Sequence, residues 1–472
     1  TGMLEIIRTC TTQCTKRLID CTSNLRYEDI PPEVLERAKI VMLQTVGVAL
    51  AAKASPEAHK IIETARDANG GAGGTATGWG TGDRLSPACA ALQNGTLADL
   101  LDWEDTAWTG HPSAGIVPVA WVMAESLKKG GRELLTAIVA AYEVYQRIAM
   151  VVQPSLTRQR TKGWGLTSWQ LFGCIVPAVK LKGFTSDQVN QALGLGAACS
   201  TLPTSFHEFC MSDFYHYEHA LRTREGVMIA ELVEKGVKGC LNALDNPADY
   251  ELHITDEPRP EWYTKELGGR WLIMTTLLKH WPANMWMQTP VEIAYDLVTE
   301  HGIKPEDIRD IIVDPPKEGR MDTPPDEGFR SLTHAQFSTP YVISALIHDR
   351  HPGAHWYSPA MLQNPSVISL AQRVLPGDSD RDAMGVGFKM FQQGSFPRKT
   401  VTINLKDGRS YSASLDCQLG HPANMMSREQ FADRFRIQAS PVLDGERMER
   451  ALDALLHIED CDDISKLHEF LY

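Results

Sequence analysis

The sequence predicts a mostly α-helical protein, with a large all-helical domain built from both chain ends and a smaller α+β domain inserted between them. Three observations predict it. Up to about residue 275, apolar residues recur at three- and four-residue spacing. From about 300, two stretches alternate apolar and polar residues as half-buried strands do. After 420 the helical period returns. The predicted boundaries are 1–274 and 420–472 for the helical domain and 275–419 for the insert.

Taken in order, the first clear element is PPEVLERAKIVMLQTVGVALAAKA (31–54). Its prolines suit a first helical turn, where an N–H would have no partner anyway. SPACAALQNGTLADLLDWED (86–105), GRELLTAIVAAYEVYQRIAMVV (131–152) and TSDQVNQALGLGAACSTL (185–202) read the same way, with Ser86 and Thr185 or Ser186 as helix starts. Many small residues on these helices suit close helix–helix contact. The glycine-rich run NGGAGGTATGWGTG (69–82) has neither GxGxxG nor GxxxxGK[ST] spacing, so it is expected to be a surface loop and not a nucleotide site. In the insert, IRDIIVDPP (308–316) and KTVTINLKDGRSYSASLDC (399–417) alternate, the latter around a Lys-Asp-Gly-Arg turn at 406–409. SPAMLQNPSVISLAQRVL between them is helical. The closing stretch 427–460 is helical again and is expected to pack back on the first domain.

Composition narrows the function. A net charge of −13 repels DNA and anionic lipid, which argues against nucleic-acid and membrane partners. The most apolar segment, 137–152, carries Glu143 and Arg147, so no membrane span is expected. The N-terminus lacks a basic start followed by an apolar stretch, and a cytoplasmic location is the expectation. Ten cysteines show no CxxC pair and are read mostly as buried free thiols. His207, His216 and His219 with Glu208, Asp213 and Glu218 have no HExxH or similar spacing, so no metal is expected.

One segment carries chemistry. The helix that includes Asn94-Gly95 runs into Leu101-Asp102, Asp105-Thr106 and then His111-Pro112-Ser113. If the helix persists, Asp102 and Thr106 share a face one turn apart. A carboxylate, a hydroxyl and an imidazole within ten residues suit general acid–base work.

This run, with Ser86-Pro87 before it, resembles the MmgE/PrpD family. Matching motifs follow in order: Tyr142-Glu143-Val144, Gly163-Trp164 with Thr167-Ser168, Leu181-Lys182-Gly183-Phe184, Ala335-Gln336-Phe337-Ser338 with Pro340-Tyr341, and Gly420-His421-Pro422. The resemblance covers essentially the whole chain. The family includes 2-methylcitrate dehydratases, cis-aconitate decarboxylases and an iminodisuccinate epimerase. It implies an α+β lid domain, a homodimer, no cofactor, and a site between the domains for a small di- or tricarboxylate. The same resemblance gives Asp102, Thr106, His111, Lys279 of a Lys-x-x-Pro motif, and Tyr341 as site residues. Three departures stand out. Gly163-Trp164-Gly165 lacks a histidine many relatives have, leaving Gln170 or Trp169 to take its space. A lysine is missing around 211–226, where Tyr215, His216, His219, Arg222 and Arg224 stand. Gln288 replaces a histidine downstream of Lys279. Gln170, His216, His219, Arg222, Gln288 and Ser338 are therefore candidate substrate contacts.

Breaking a bond next to a carboxylate requires a base, cations or hydrogen bonds on the developing charge, and an acid. His111 is expected to transfer the proton with Asp102 orienting it. Lys279 is expected to hold a carboxylate, and Tyr341 and Thr106 to donate hydrogen bonds. The leading expectation is a 2-methylcitrate dehydratase-like lyase. An epimerase or decarboxylase of a related dicarboxylate comes second, and a non-catalytic binding homologue third.

Overall fold

The computed structural model describes residues 13–107, 110–152, 167–200, 210–246, 250–255, 257–382, 387, 390 and 394–472. The helices Pro32–Ala52, Pro87–Asp99, Ser113–Ser126, Gly131–Val152, Thr167–Leu181, Ser186–Cys199 and Tyr215–Glu234 pack on one another in the first half of the chain. Their starts are built as the sequence suggests. The Ser86 hydroxyl accepts from the Cys89 N–H with Pro87 in the first turn, and Thr185 and Gln188 form a reciprocal capping box. Apolar and small residues cover nearly every face of Pro87–Asp99 and Ser113–Ser126, so both are buried along their length.

Among the described residues, Gly131–Val152 is the one helix long and apolar enough to cross a membrane, and its apolar stretch is buried inside the protein. Its two buried charges neutralise each other: Arg147 Nε lies 3.1 Å from Glu143 Oε2. Arg147 also donates to the carbonyls of Trp262, Lys265 and Arg270, and Glu143 accepts from the Leu272 N–H at 2.7 Å. A buried charge is tolerated only when paired and hydrogen-bonded like this.

The second half holds a four-stranded sheet in the order Val374–Pro376, Ile308–Asp314, Lys399–Leu405, Ser410–Leu415. The last two strands form the antiparallel hairpin expected around the 406–409 turn, and alternate residues of Lys399–Leu405 are buried. Helix Gln288–His301 packs on this hairpin. At the chain end, helices Arg428–Ala439 and Gly445–Leu456 both pack on Pro32–Ala52. Contacts of high sequence separation therefore tie the C-terminal helices to the first helical layer.

Two expectations are corrected. The glycine-rich run is only partly a surface loop. Gly70 to Thr75 are exposed, but Ala76–Thr77 pairs antiparallel with Arg84–Leu85, and Trp79 is fully buried. Of the nine described cysteines, only Cys14, Cys89 and Cys174 are buried, while Cys199, Cys210 and Cys240 are exposed.

Candidate active site

The expected helical face at 102–106 does not form, because the helix stops at Asp99. Asp102 takes a left-handed backbone conformation, with φ 50°, and its N–H donates to the Asp99 carbonyl. Aspartate tolerates that conformation better than most residues, and such backbone strain tends to gather at functional sites. Asp105–Thr106 is then extended and pairs antiparallel with Leu277–Leu278, Asp105 opposite Leu278 and Thr106 opposite Leu277. The same register continued by one residue sets Lys279 opposite Glu104. That pairing assembles the site.

Lys279 is fully buried and donates to the Asp102 carboxylate and, at 3.1 Å, to the Asp102 carbonyl. Its ammonium also lies 3.6 Å from Glu104 Oε1. Its backbone is clamped from three sides: the Arg434 guanidinium and Gln44 amide donate to the Lys279 carbonyl, and Trp103 Nε1 donates to that of His280. Burial works against the Lys279 charge, but the Asp102 and Glu104 carboxylates outweigh it and raise the pKa.

His111 returns to this cluster through a tight hairpin in which Ala107 N–H donates to the Gly110 carbonyl. Gly110 has φ 152°, and a Cβ there would lie 2.2 Å from the Tyr145 hydroxyl, so the turn requires glycine. The His111 Nδ1 sits 2.7 Å from Glu104 Oε1 and 3.1 Å from the Asp105 carbonyl; Nε2 is 2.9 Å from the Tyr215 hydroxyl. Burial and Lys279 push the imidazole pKa down, yet the Glu104 carboxylate prevails and raises it to about 9. The Glu104 carboxylate thus favours the charged form of His111.

Behind His111, Asp99 holds two histidines, with His216 Nδ1 at 2.8 Å and His219 Nδ1 at 2.9 Å from its two carboxylate oxygens. Burial disfavours the Asp99 anion, but His219 and His216 overcome that and depress its pKa. His216 donates its other nitrogen to Gln336 Oε1 at 2.7 Å, and Gln336 donates to the Leu100 carbonyl. Asp105 differs: burial raises its carboxyl to about 6, although Tyr142 and the Ser113 N–H donate to it.

Several sequence-predicted residues meet here. Asp102, His111 and Lys279 form one cluster, Gln170 donates to the His111 carbonyl at 3.2 Å, and His216 and His219 line its rear. Their partners differ from expectation: Glu104 contacts His111, whereas Asp102 pairs with Lys279. The Thr106 hydroxyl, 3.2 Å from the Ala107 and Gly110 carbonyls, supports the hairpin. Others have different work. Tyr341 donates its hydroxyl to the Trp356 carbonyl, and Ser338 caps the helix Thr339–His348 by accepting from the Tyr341 N–H. Gln288 accepts from the Trp281 N–H and donates to the Trp281 and Ala283 carbonyls, so its amide braces the turn after Lys279. Arg222 pairs with Glu225 at 3.2 Å. Gly163 to Gly165, His207 and Glu208 lie outside the described residues.

The sequence reading missed Glu104, Asp99 and the Tyr215 hydroxyl. A helical period over 86–105 gives Glu104 no partner; only the strand register of 105–106 with 277–278 turns it toward Lys279 and His111. Arg320 was missed as well: it is buried, with its guanidinium 4.8 Å from the Phe337 ring, which packs on Tyr215 at 5.2 Å.

Asp102, Glu104 and His111 offer three ligand atoms within 4.8 Å of one another, a spacing a metal ion could use. The Lys279 ammonium fits this donor set less ambiguously, since it already contacts both carboxylates and provides the positive charge they require. The arrangement can deliver a proton from His111 inside a sealed, charge-balanced cluster.

Comparison with known proteins places this geometry. The MmgE/PrpD N-terminal domain matches residues 16–262 and the MmgE/PrpD C-terminal domain residues 281–458. The chain is 23% identical to the human cis-aconitate decarboxylase over 95% of its own length and 92% of the relative's. It is also 23% identical to the Aspergillus terreus cis-aconitate decarboxylase, over 97% and 95% of the two chains, and to the mouse cis-aconitate decarboxylase, over 95% and 91%. With both domain matches in sequence order and a site built on the residues that first suggested it, this chain belongs to the MmgE/PrpD family.

Proposed function

We propose that the protein is a cofactor-independent carboxy-lyase acting on a small unsaturated polycarboxylate of the cis-aconitate kind. The observation that carries this reading is the Glu104–His111 contact at 2.7 Å, which favours a protonated imidazole. A β,γ-unsaturated carboxylate needs an acid first. The proton goes to the far carbon of the double bond, the C–CO2 bond breaks, and its electron pair becomes the new double bond. No base has to act beforehand. Similarity to cis-aconitate decarboxylases supports the same choice. The Arg320 guanidinium, buried beside the Phe337 ring, is a cation suited to a remaining carboxylate, while Lys279 holds Asp102 and Glu104 in place.

Dehydration of a 2-methylcitrate-like hydroxy acid is the second reading. Elimination of water needs a base as well as an acid, and the Asp105 carboxyl, raised to about 6 by burial and held by Tyr142 and the Ser113 N–H, is the candidate for that base. Incubation with cis-aconitate and with 2-methylcitrate in deuterated water separates the two. The expected result is carbon dioxide release with one deuterium in the product. Water loss without carbon dioxide would favour the second reading, and inertness toward both would sink the pair.

A further inference from the structure

We propose that Arg434 is the positioning residue that sets Lys279, and through it Glu104, against His111. The inference rests on the acid-first reading above and identifies what keeps the partners of the acid in register. Arg434 lies on the C-terminal helix Arg428–Ala439, 154 residues beyond His280. Its Nη2 donates to the Lys279 carbonyl and its Nη1 to the His280 carbonyl, each at 2.8 Å. A guanidinium only donates and a carbonyl only accepts, so the direction of both bonds is fixed. In an extended strand successive carbonyls point to opposite sides. Here the strand ends at Leu278, and one planar fork takes two carbonyls in a row just beyond it. The fork therefore fixes the bend from which the Lys279 side chain departs.

The same side chain reaches the other half of the strand pair. Its guanidinium carbon stands 5.3 Å over the Trp103 ring, and Trp103 Nε1 donates to the same His280 carbonyl at 2.9 Å. Trp103 lies between Asp102 and Glu104, whose carboxylates hold the Lys279 ammonium. Gln44 closes the bracket by donating to the Trp103 carbonyl at 3.0 Å and to that of Lys279 at 3.3 Å. Arg434 thus grips both sides of the charge cluster. Glu104 Oε1 is where they meet, 3.6 Å from Lys279 Nζ and 2.7 Å from His111 Nδ1.

Satisfying carbonyls does not by itself call for an arginine here. Arg434 is 9% exposed, and burial works against its charge. Among the described residues it has no ion pair. Glu292, the carboxylate that acts on it from a distance, is engaged by His280 Nδ1 at 2.6 Å and Trp281 Nε1 at 2.8 Å. The Nε of Arg434 has no acceptor. A buried cation without a counter-ion is unfavourable, and a neutral amide such as that of Gln44 can satisfy a carbonyl without it. What the guanidinium alone provides is one rigid plane on two carbonyls and an aromatic ring.

Two variants of the full chain test the assignment. Arg434→Met keeps a long side chain and removes the fork. Amide hydrogen exchange, followed without substrate, is expected to rise in peptides covering 102–106 and 277–281. Loss of packing alone would instead loosen 428–439 and the helix Pro32–Ala52 beneath it. For carbon dioxide release from cis-aconitate, kcat is expected to fall about 10²-fold with a smaller change in KM, because a shifted bracket misplaces the acid without removing it. Arg434→Lys keeps the charge but reaches one carbonyl, and is expected to fall between wild type and Arg434→Met in both measurements. Wild-type kcat in Arg434→Met overturns the proposal while leaving the lyase reading intact, as does exchange that rises evenly or only in 428–439. Should Arg434→Met fail to fold, Arg434→Lys decides by the same two measurements. Absence of turnover by the unmodified enzyme overturns the lyase reading instead, and the exchange pattern alone then decides whether Arg434 positions the cluster.

Discussion

At the scale of single residues, the site depends on a few buried charges whose partners are fixed. His111 has its pKa raised from 6.5 to about 9 by Glu104, against burial and Lys279. Between those values the folded protein binds a proton that the unfolded chain has lost. The stabilisation from this group is therefore complete below about pH 6.5 and drains away as pH rises through about 9, by at most about 1.4 kcal/mol per pH unit. Glu104→Gln should remove most of that slope in chemical melts between pH 6 and 9 and shift the alkaline limb of kcat downward; an unchanged limb would contradict the Glu104 assignment. His111→Ala should lower kcat about 10²–10⁴-fold, read in the carbon dioxide assay. Lys279→Ala has a double expectation. It strands the buried Asp102 and Glu104 carboxylates, so stability should drop by about 3–5 kcal/mol in denaturant melts as activity is lost.

At the scale of elements, the decisive feature is two residues of strand. The pairing of 105–106 with 277–278 puts Lys279 across from Glu104, and Leu278 is held on its other side by donation of its N–H to the Gly420 carbonyl. Gly420 has φ 96°, and a Cβ there would lie 1.9 Å from the Leu278 carbonyl oxygen. Gly420→Ala must therefore push the 277–279 segment or abandon the turn. We expect a loss of about 1–3 kcal/mol in stability together with a drop in kcat, measured on the same preparation. Wild-type activity in that variant would show that the segment's position is not critical. The long helices, their caps and the 399–415 hairpin were legible in the sequence, because periodicity and capping are local. The break at Asp99 and the strand after it were not. Apolar Leu100, Leu101 and Trp103 continue a helical pattern, and only pairing with a partner about 170 residues away turns the chain extended.

For the whole molecule, the charge arithmetic of the site bears on metals and on assembly. Lys279 supplies the cation between Asp102 and Glu104, so activity should survive exhaustive chelation and dialysis; loss restored by zinc, iron or magnesium would overturn that. We also propose a homodimer, to be checked by sedimentation equilibrium. A single species of chain mass at micromolar concentration would reject it.

The sequence by itself determined the mostly helical character, the strand-bearing second half, the order of family motifs, and the presence of Asp102, His111 and Lys279 in the site. The helices and strands follow from residue type and short-range period, Asp102 and His111 as candidates from their spacing, and Lys279 and the motif order from the resemblance to the family. Only the tertiary structure decided who pairs with whom. It gave Glu104 rather than Asp102 to His111, Asp102 to Lys279, and Asp99 to His216 and His219, and it set the Tyr215 hydroxyl on Nε2. It also turned Gln288, Ser338 and Tyr341 to structural hydrogen bonds. The physical reason is burial. Once water is excluded, every charge and donor must find a partner inside the protein, and which partner is within reach depends on contacts that no local pattern encodes.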